Sequence, residues 1–150
     1  QIIIATHGHF DHLLAAYELQ LAFEIPFAIH HQDKKLLNRS SDSASYWLKR
    51  EVVVKPPQVN KELKQEDVIK ISDYEFNIIE SPGHTPGGIV IYNQKEKVAF
   101  VGDTLFKDGV GRTDFKYSST EKLWQSIKKI KQKLKGYTAY TGHGPASIIK

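Results

Sequence analysis

Apolar residues along this chain fall into two kinds of run. Short, β-branched or aromatic stretches recur as Ile2-Ile3-Ile4-Ala5, Pro26-Phe27-Ala28-Ile29-His30, Val68-Ile69-Lys70-Ile71, Glu75-Phe76-Asn77-Ile78-Ile79, Ile89-Val90-Ile91-Tyr92, Val98-Ala99-Phe100-Val101 and Tyr137 to Tyr140. Their length and the turn residues between them predict strands. Two other stretches repeat at helical spacing. Leu13, Leu14, Tyr17 and Leu21 predict a helix from Leu13 to Phe23. Leu123, Ile127, Ile130 and Leu134 mark one face of a second helix, whose other faces carry Lys122, Lys128, Lys129, Lys131, Lys133 and Lys135 before Gly136 stops it. The first strand, its helix and the strand at Pro26 to His30 form a crossover unit with parallel strands, followed by a short helical turn over Gln32 to Leu37. The four runs from Val68 to Val101 predict a mostly antiparallel meander. The class is α/β.

Between these regions, Asn38 to Val59 is rich in serine and contains Tyr46-Trp47-Leu48 and then Pro56-Pro57. It reads as a loop or small helix whose aromatics Tyr46 and Trp47 line a substrate entrance. Trp124, beside the apolar helix stripe, reads as core. At 150 residues, 40% apolar and 11% aromatic, the chain has the size of one domain, residues 1–150, with enough apolar surface for a core. No stretch approaches the roughly 18 apolar residues that span a bilayer, so the expectation is a cytoplasmic protein without a membrane partner. The chain starts at Gln1, directly on an apolar run, which points to a fragment of a longer protein.

Charge and composition narrow the chemistry. A formal charge of +4, from 21 basic and 17 acidic residues, suits an anionic small-molecule substrate but falls short of a nucleic-acid signature. With no cysteine, a metal site must use histidine and carboxylate. The segment His7-Gly8-His9-Phe10-Asp11-His12 supplies both. His7 and His9 are two apart, so in extended backbone they leave the same face and can chelate one ion. Asp11 and His12 follow where the chain turns into a helix and can reach a second ion. Imidazole and carboxylate suit zinc, and also iron or manganese. A polar loop with surface histidines is the bland alternative, but four ligand-type residues in six positions after a buried strand weigh against it. Three more segments place such a residue among glycines beyond a strand: Ser81-Pro82-Gly83-His84-Thr85-Pro86-Gly87-Gly88, Gly102-Asp103-Thr104 and Gly142-His143-Gly144. Singly, His84 could be a satisfied loop residue and Asp103 a turn cap. His30 and His31 follow a strand and read as surface or satisfied loop histidines, with a supporting contact to the metal ligands as the alternative.

His-x-His-x-Asp-His, Pro-Gly-His-Thr, Gly-Asp-Thr-Leu-Phe and Gly-His-Gly, in this order, resemble the metallo-β-lactamase-fold hydrolases, particularly the glyoxalase II-like (hydroxyacylglutathione hydrolase-like) branch. The resemblance runs from Ile2 to about Pro145. It implies a four-layer αββα sandwich with a binuclear site at one edge of two sheets, and the strands that precede His-x-His in that family are missing from this chain. It further implies that His7, His9 and His84 hold a first metal, that Asp11, His12 and His143 hold a second, and that Asp103 bridges them.

Two such ions, most readily zinc, would share a water, lower its pKa and present a bridging hydroxide to the carbonyl carbon of a thioester or similar ester. Asp11 would accept the proton. Gly109-Val110-Gly111-Arg112 stands where glyoxalase II enzymes carry a Gly-x-Gly-Lys-type segment, so Arg112 is a candidate contact for an anionic substrate, with an ion pair to Asp114 or Asp108 as the alternative. Gly-Arg-Thr-Asp-Phe is also similar to a segment of persulfide dioxygenases, which share the fold and use one iron held by two His and an Asp; Gly-His-Gly-Pro argues against that reading. A nuclease using the Lys122 to Lys135 helix is disfavoured, because such lysines usually form a solvated face. A non-catalytic metal-binding module is disfavoured because structural zinc sites are closed four-ligand cages.

Overall fold

The computed structural model describes all residues, 1–150, which divide into two compact units, Gln1–Leu63 and Lys64–Lys150. In the first unit, strands β1 (Ile3–Ile4), β2 (Phe27–His30) and β3 (Val59–Leu63) form a parallel three-stranded sheet in the order β1-β2-β3. The parallel pairing of the first two follows from the helix α1 (Ala16–Phe23) that carries the chain between them. This helix begins later than its hydrophobic spacing predicts. Between β1 and α1 the backbone closes three-residue turns, with Leu13 N–H donating to Phe10 O at 3.0 Å and Ala16 N–H to Leu13 O at 2.9 Å. Leu13 therefore drops into the core, whereas Leu14 and Leu21 are exposed. Helices α2 (Lys34–Leu37) and α3 (Ser40–Leu48) follow β2, the first after a 3₁₀ turn at His31–Asp33. The core of this unit is Ala5, Leu13, Ala16, Phe27, Ile29 and Leu37.

In the second unit, β4 (Val68–Ile71), β5 (Tyr74–Glu80), β6 (Ile89–Asn93) and β7 (Val98–Gly102) make the expected antiparallel meander. Strand β10 (Thr138–Thr141) returns parallel to β7, and β11 (Ser147–Ile148) pairs antiparallel with β10, giving the order β11-β10-β7-β6-β5-β4. A small hairpin, β8 (Leu105–Phe106) with β9 (Gly109–Val110), stands apart from this sheet. Helix α4 (Thr120–Leu134) supplies the crossover. Ser119 caps it, its hydroxyl accepting from Lys122 N–H, and it buries the stripe that its sequence predicts: Leu123, Ile127, Ile130 and Leu134. Ile130 and Leu134 join Ile79, Val90, Tyr92, Ala99, Val101, Ala139 and Ile149 in the core.

Trp124 is a correction to the expected core. It is 56% exposed and lines an open groove of about 530 Å³ with Lys128, Lys131, Lys135 and Lys150. The reason is angular: Leu123 precedes it by one position, and neighbours in a helix point about 100° apart, so only one of them can face the sheet. No helix of the chain is long and apolar enough to cross a membrane.

Candidate metal centre

Every candidate ligand stands just beyond the C-terminal end of a strand. In the first unit, β1 delivers His7, and the chain then bends through Gly8 and His9 into a 3₁₀ turn, Phe10–His12, which carries Asp11 and His12. Three imidazoles gather there. The His7 ring lies 4.9 Å from that of His9 and 4.1 Å from that of His12, centroid to centroid. His12 Nε2 stands 3.5 Å from Asp11 Oδ2. His7 is buried, and Thr6 Oγ1 lies 3.1 Å from its Nδ1, which orients the ring by that nitrogen. Gly8 is required where the loop presses on the turn after β2: a Cβ there would fall 2.7 Å from Asp33 O and 2.9 Å from Leu36 Cβ.

In the second unit, three loops converge because of strand direction. β5 and β7 flank β6 and run antiparallel to it, and β10 runs parallel to β7, so the residues after β5, β7 and β10 emerge at one edge. These are His84, Asp103 and His143. Thr141 pairs with Gly102 in the β7–β10 register, and Gly142 N–H donates to Gly102 O at 2.9 Å, which places Asp103 beside His143. The His84 loop is closed by Ser81 N–H to Gly88 O at 2.7 Å and tied to the Asp103 turn by the buried pair Ser81 Oγ and Thr104 Oγ1, 3.1 Å apart. Helix α4 braces it: Ser119 N–H donates to Gly83 O at 2.8 Å, and Ser126 Oγ–H to Pro82 O at 2.8 Å.

The result is one carboxylate oxygen between two imidazoles. Asp103 Oδ2 lies 3.7 Å from His84 Nε2 and 3.5 Å from His143 Nε2. These separations are too long for good hydrogen bonds. They are close to the roughly 3.3–3.5 Å that separates two ligands of one tetrahedral ion held at about 2.0–2.2 Å. His84 adds a tautomer argument. Its Nδ1 lies 2.8 Å from the Arg112 carbonyl oxygen, which can only accept, so Nδ1 carries a proton. In the neutral ring Nε2 then turns a lone pair toward the Asp103 carboxylate, an arrangement that a cation between them stabilises. Nitrogen and oxygen donors of this kind fit a divalent ion of zinc or iron type.

The side chains of the remaining sequence candidates make other contacts. Arg112 makes a bidentate pair with Asp114, Nε to Oδ1 at 3.0 Å and Nη2 to Oδ2 at 2.6 Å, and its guanidinium lies over the Phe115 ring. That guanidinium holds the Asp114 carboxyl below the usual carboxylate range. Of the two alternatives for Arg112, the ion pair is thus present. Its contribution to the site is its backbone carbonyl, and the adjoining Gly111 is required because a Cβ would collide with Asp103 O. Tyr46 and Trp47 are exposed on α3, packed edge to face with ring centroids 5.4 Å apart. His30 is buried and caps the following turn, its Nδ1 accepting from Gln32 N–H at 3.3 Å. Sequence reasoning missed Asp33, which is fully buried and accepts Gly8 N–H at 2.8 Å. Its only signal was an acidic residue three positions beyond the predicted strand Pro26 to His30.

Comparison with known proteins agrees with this picture. Hydroxyacylglutathione hydrolase GloC of Haemophilus influenzae is 33% identical over 152 residues, 99% of this chain and 71% of that protein. Among solved structures, the BLEG-1 B3 metallo-beta-lactamase is similar with a TM-score of 0.89 at 33% identity, covering 99% of this chain and 71% of its own. TTHA1623, solved in a di-iron-bound form, gives a TM-score of 0.88 at 28% identity over 99% of this chain and 72% of that one. The chain spans 60% to 71% of the length of three curated relatives. A model of the metallo-beta-lactamase superfamily matches residues 1–143, and together with the fold and its clustered histidines this shows that the chain belongs to that superfamily.

Proposed function

We propose that this chain is the metal-binding part of a hydrolase acting on a thioester or similar ester of an anionic small molecule, like hydroxyacylglutathione hydrolases. Two divalent ions, zinc in the first instance, would be held by His7, His9 and His84 and by Asp11, His12 and His143, with Asp103 as a further ligand. The observation that carries this reading is the Asp103 oxygen standing between His84 Nε2 and His143 Nε2 at ligand spacing. When bound, the ions supply Lewis acidity for the substrate carbonyl and an activated water as nucleophile.

The chain's own residues do the rest. His84, its Nδ1 tied to the Arg112 carbonyl, leaves Nε2 as the nitrogen available to a ligand, and the α4-braced loop holds the ring there. Asp11, with its side chain 38% exposed, would serve as the proton acceptor, its exposure giving the proton a route to solvent. Arg112, Tyr46 and Trp47 are proposed to line the approach of the substrate, the first as an anion contact. No serine or cysteine nucleophile is required.

Metal content by mass spectrometry, measured alongside hydrolysis of a small thioester panel, tests the reading. The expectation is two ions per chain and hydrolysis that falls by at least 100-fold, together with metal content, in His7→Ala and Asp103→Ala. A metal-free variant that retains activity would overturn the mechanism. A second reading, a mononuclear-iron persulfide dioxygenase, is favoured by the segment Gly111-Arg112-Thr113-Asp114-Phe115. One iron per chain with sulfur-dependent oxygen uptake would establish it instead.

A further inference from the structure

Gly8 lies between two proposed ligands, and its backbone is held by a carboxylate that neither the ligand set nor the chemistry above uses. Asp33 closes the 3₁₀ turn after β2 and is fully buried, and its Oδ2 accepts Gly8 N–H at 2.8 Å. Burial of an ionised carboxylate costs several kcal/mol unless strong hydrogen bonds satisfy it. A charge-assisted bond to a backbone amide is of that kind. The contact is also a steric one, because Gly8 packs against Asp33 O, Asp33 Cβ and Leu36 Cβ too closely for any side chain. The His7-Gly8-His9 backbone is thereby pinned at its midpoint, one peptide from each imidazole.

We infer that Asp33 is a positioning residue for the metal centre: its carboxylate fixes the Gly8 amide so that His7 and His9 present their rings to one ion. The inference rests on the proposed ligand role of His7 and His9. A side chain that holds the backbone between two ligands sets their relative orientation, and loss of such outer contacts typically costs about 10–100-fold in metal affinity. Nothing in this role requires Asp33 to touch metal or substrate.

Three variants of the metal-stripped protein, titrated with Co(II) while the visible ligand-field spectrum is recorded, test the inference. Circular dichroism monitors the fold in each. Asp33→Ala removes the acceptor and is expected to weaken Co(II) binding at least about tenfold and to change the band positions, with helix content unchanged. Asp33→Asn keeps an oxygen that can accept from Gly8 and is expected to stay within about threefold of wild type. Gly8→Ala disrupts the same contact from the other side and is expected to behave like Asp33→Ala, so the test stands even if Asp33→Ala does not fold. Wild-type affinity and spectrum in a folded Asp33→Ala or Gly8→Ala protein would overturn the inference, as would a tenfold loss in folded Asp33→Asn. Failure of the ligand reading looks different: His7→Ala would then bind Co(II) as wild type does.

Discussion

At His84 the two ring nitrogens face different chemistry, a carbonyl oxygen on one side and a carboxylate on the other. The partner on the first side is a backbone atom of Arg112, so the identity of that side chain is irrelevant to the ring. Arg112→Ala is accordingly expected to leave metal stoichiometry unchanged by mass spectrometry, although it removes the exposed pair with Asp114; a fall in metal content would show that the guanidinium, not the carbonyl, holds the site. Residue type and spacing alone marked His7, His9, Asp11 and His12, because the four lie within one loop. They were insufficient for Asp33, since nothing local distinguishes a buried acceptor from a surface acid until β2 carries it under the loop.

Helix α4 was legible in sequence because a strong apolar stripe against a lysine-rich surface has one stable orientation. Ile130→Ala is expected to destabilise the fold by about 2–5 kcal/mol in urea unfolding, since its side chain is fully buried. Trp124→Ala, on the outward face, is expected to cost well under half of that, and equal losses would contradict the observed exposure. Strand β3 was not legible. Its sequence Val59-Asn60-Lys61-Glu62-Leu63 is mostly polar and exposed, and only pairing with β2 makes it a strand. There Glu62 meets Lys34 of α2 at 2.8 Å, and the hydrogen-bonded ammonium lowers the Glu62 pKa. A carboxyl lowered in the folded state adds stability above its ordinary pKa and loses it as pH falls through the lowered value. Glu62→Gln is therefore expected to flatten the acid limb of a stability–pH curve slightly, and the difference should shrink in high salt because both groups are exposed.

For the whole molecule, metal binding as proposed is coupled to folding stability. A metal that binds only the folded form raises stability by mass action, about 2.7 kcal/mol at a free concentration 100 times Kd. Added zinc is expected to raise Tm and a chelator to lower it, with a smaller zinc-induced shift in His9→Ala and in His143→Ala than in the wild type; an undiminished shift in both variants would contradict the ligand assignment. The sequence by itself determined the α/β class, the meander, the amphipathic helix and the identity of the His and Asp candidates, because those depend on periodicity and on short-range spacing. Only the tertiary structure decided that Asp103 stands between His84 and His143, that His84 is oriented by a distant backbone carbonyl, that Trp124 faces outward, and that Asp33 lies beneath Gly8. Each of these depends on strand register and close approach between segments 19 to 59 residues apart or on which side of a helix meets the sheet, and no local pattern encodes them.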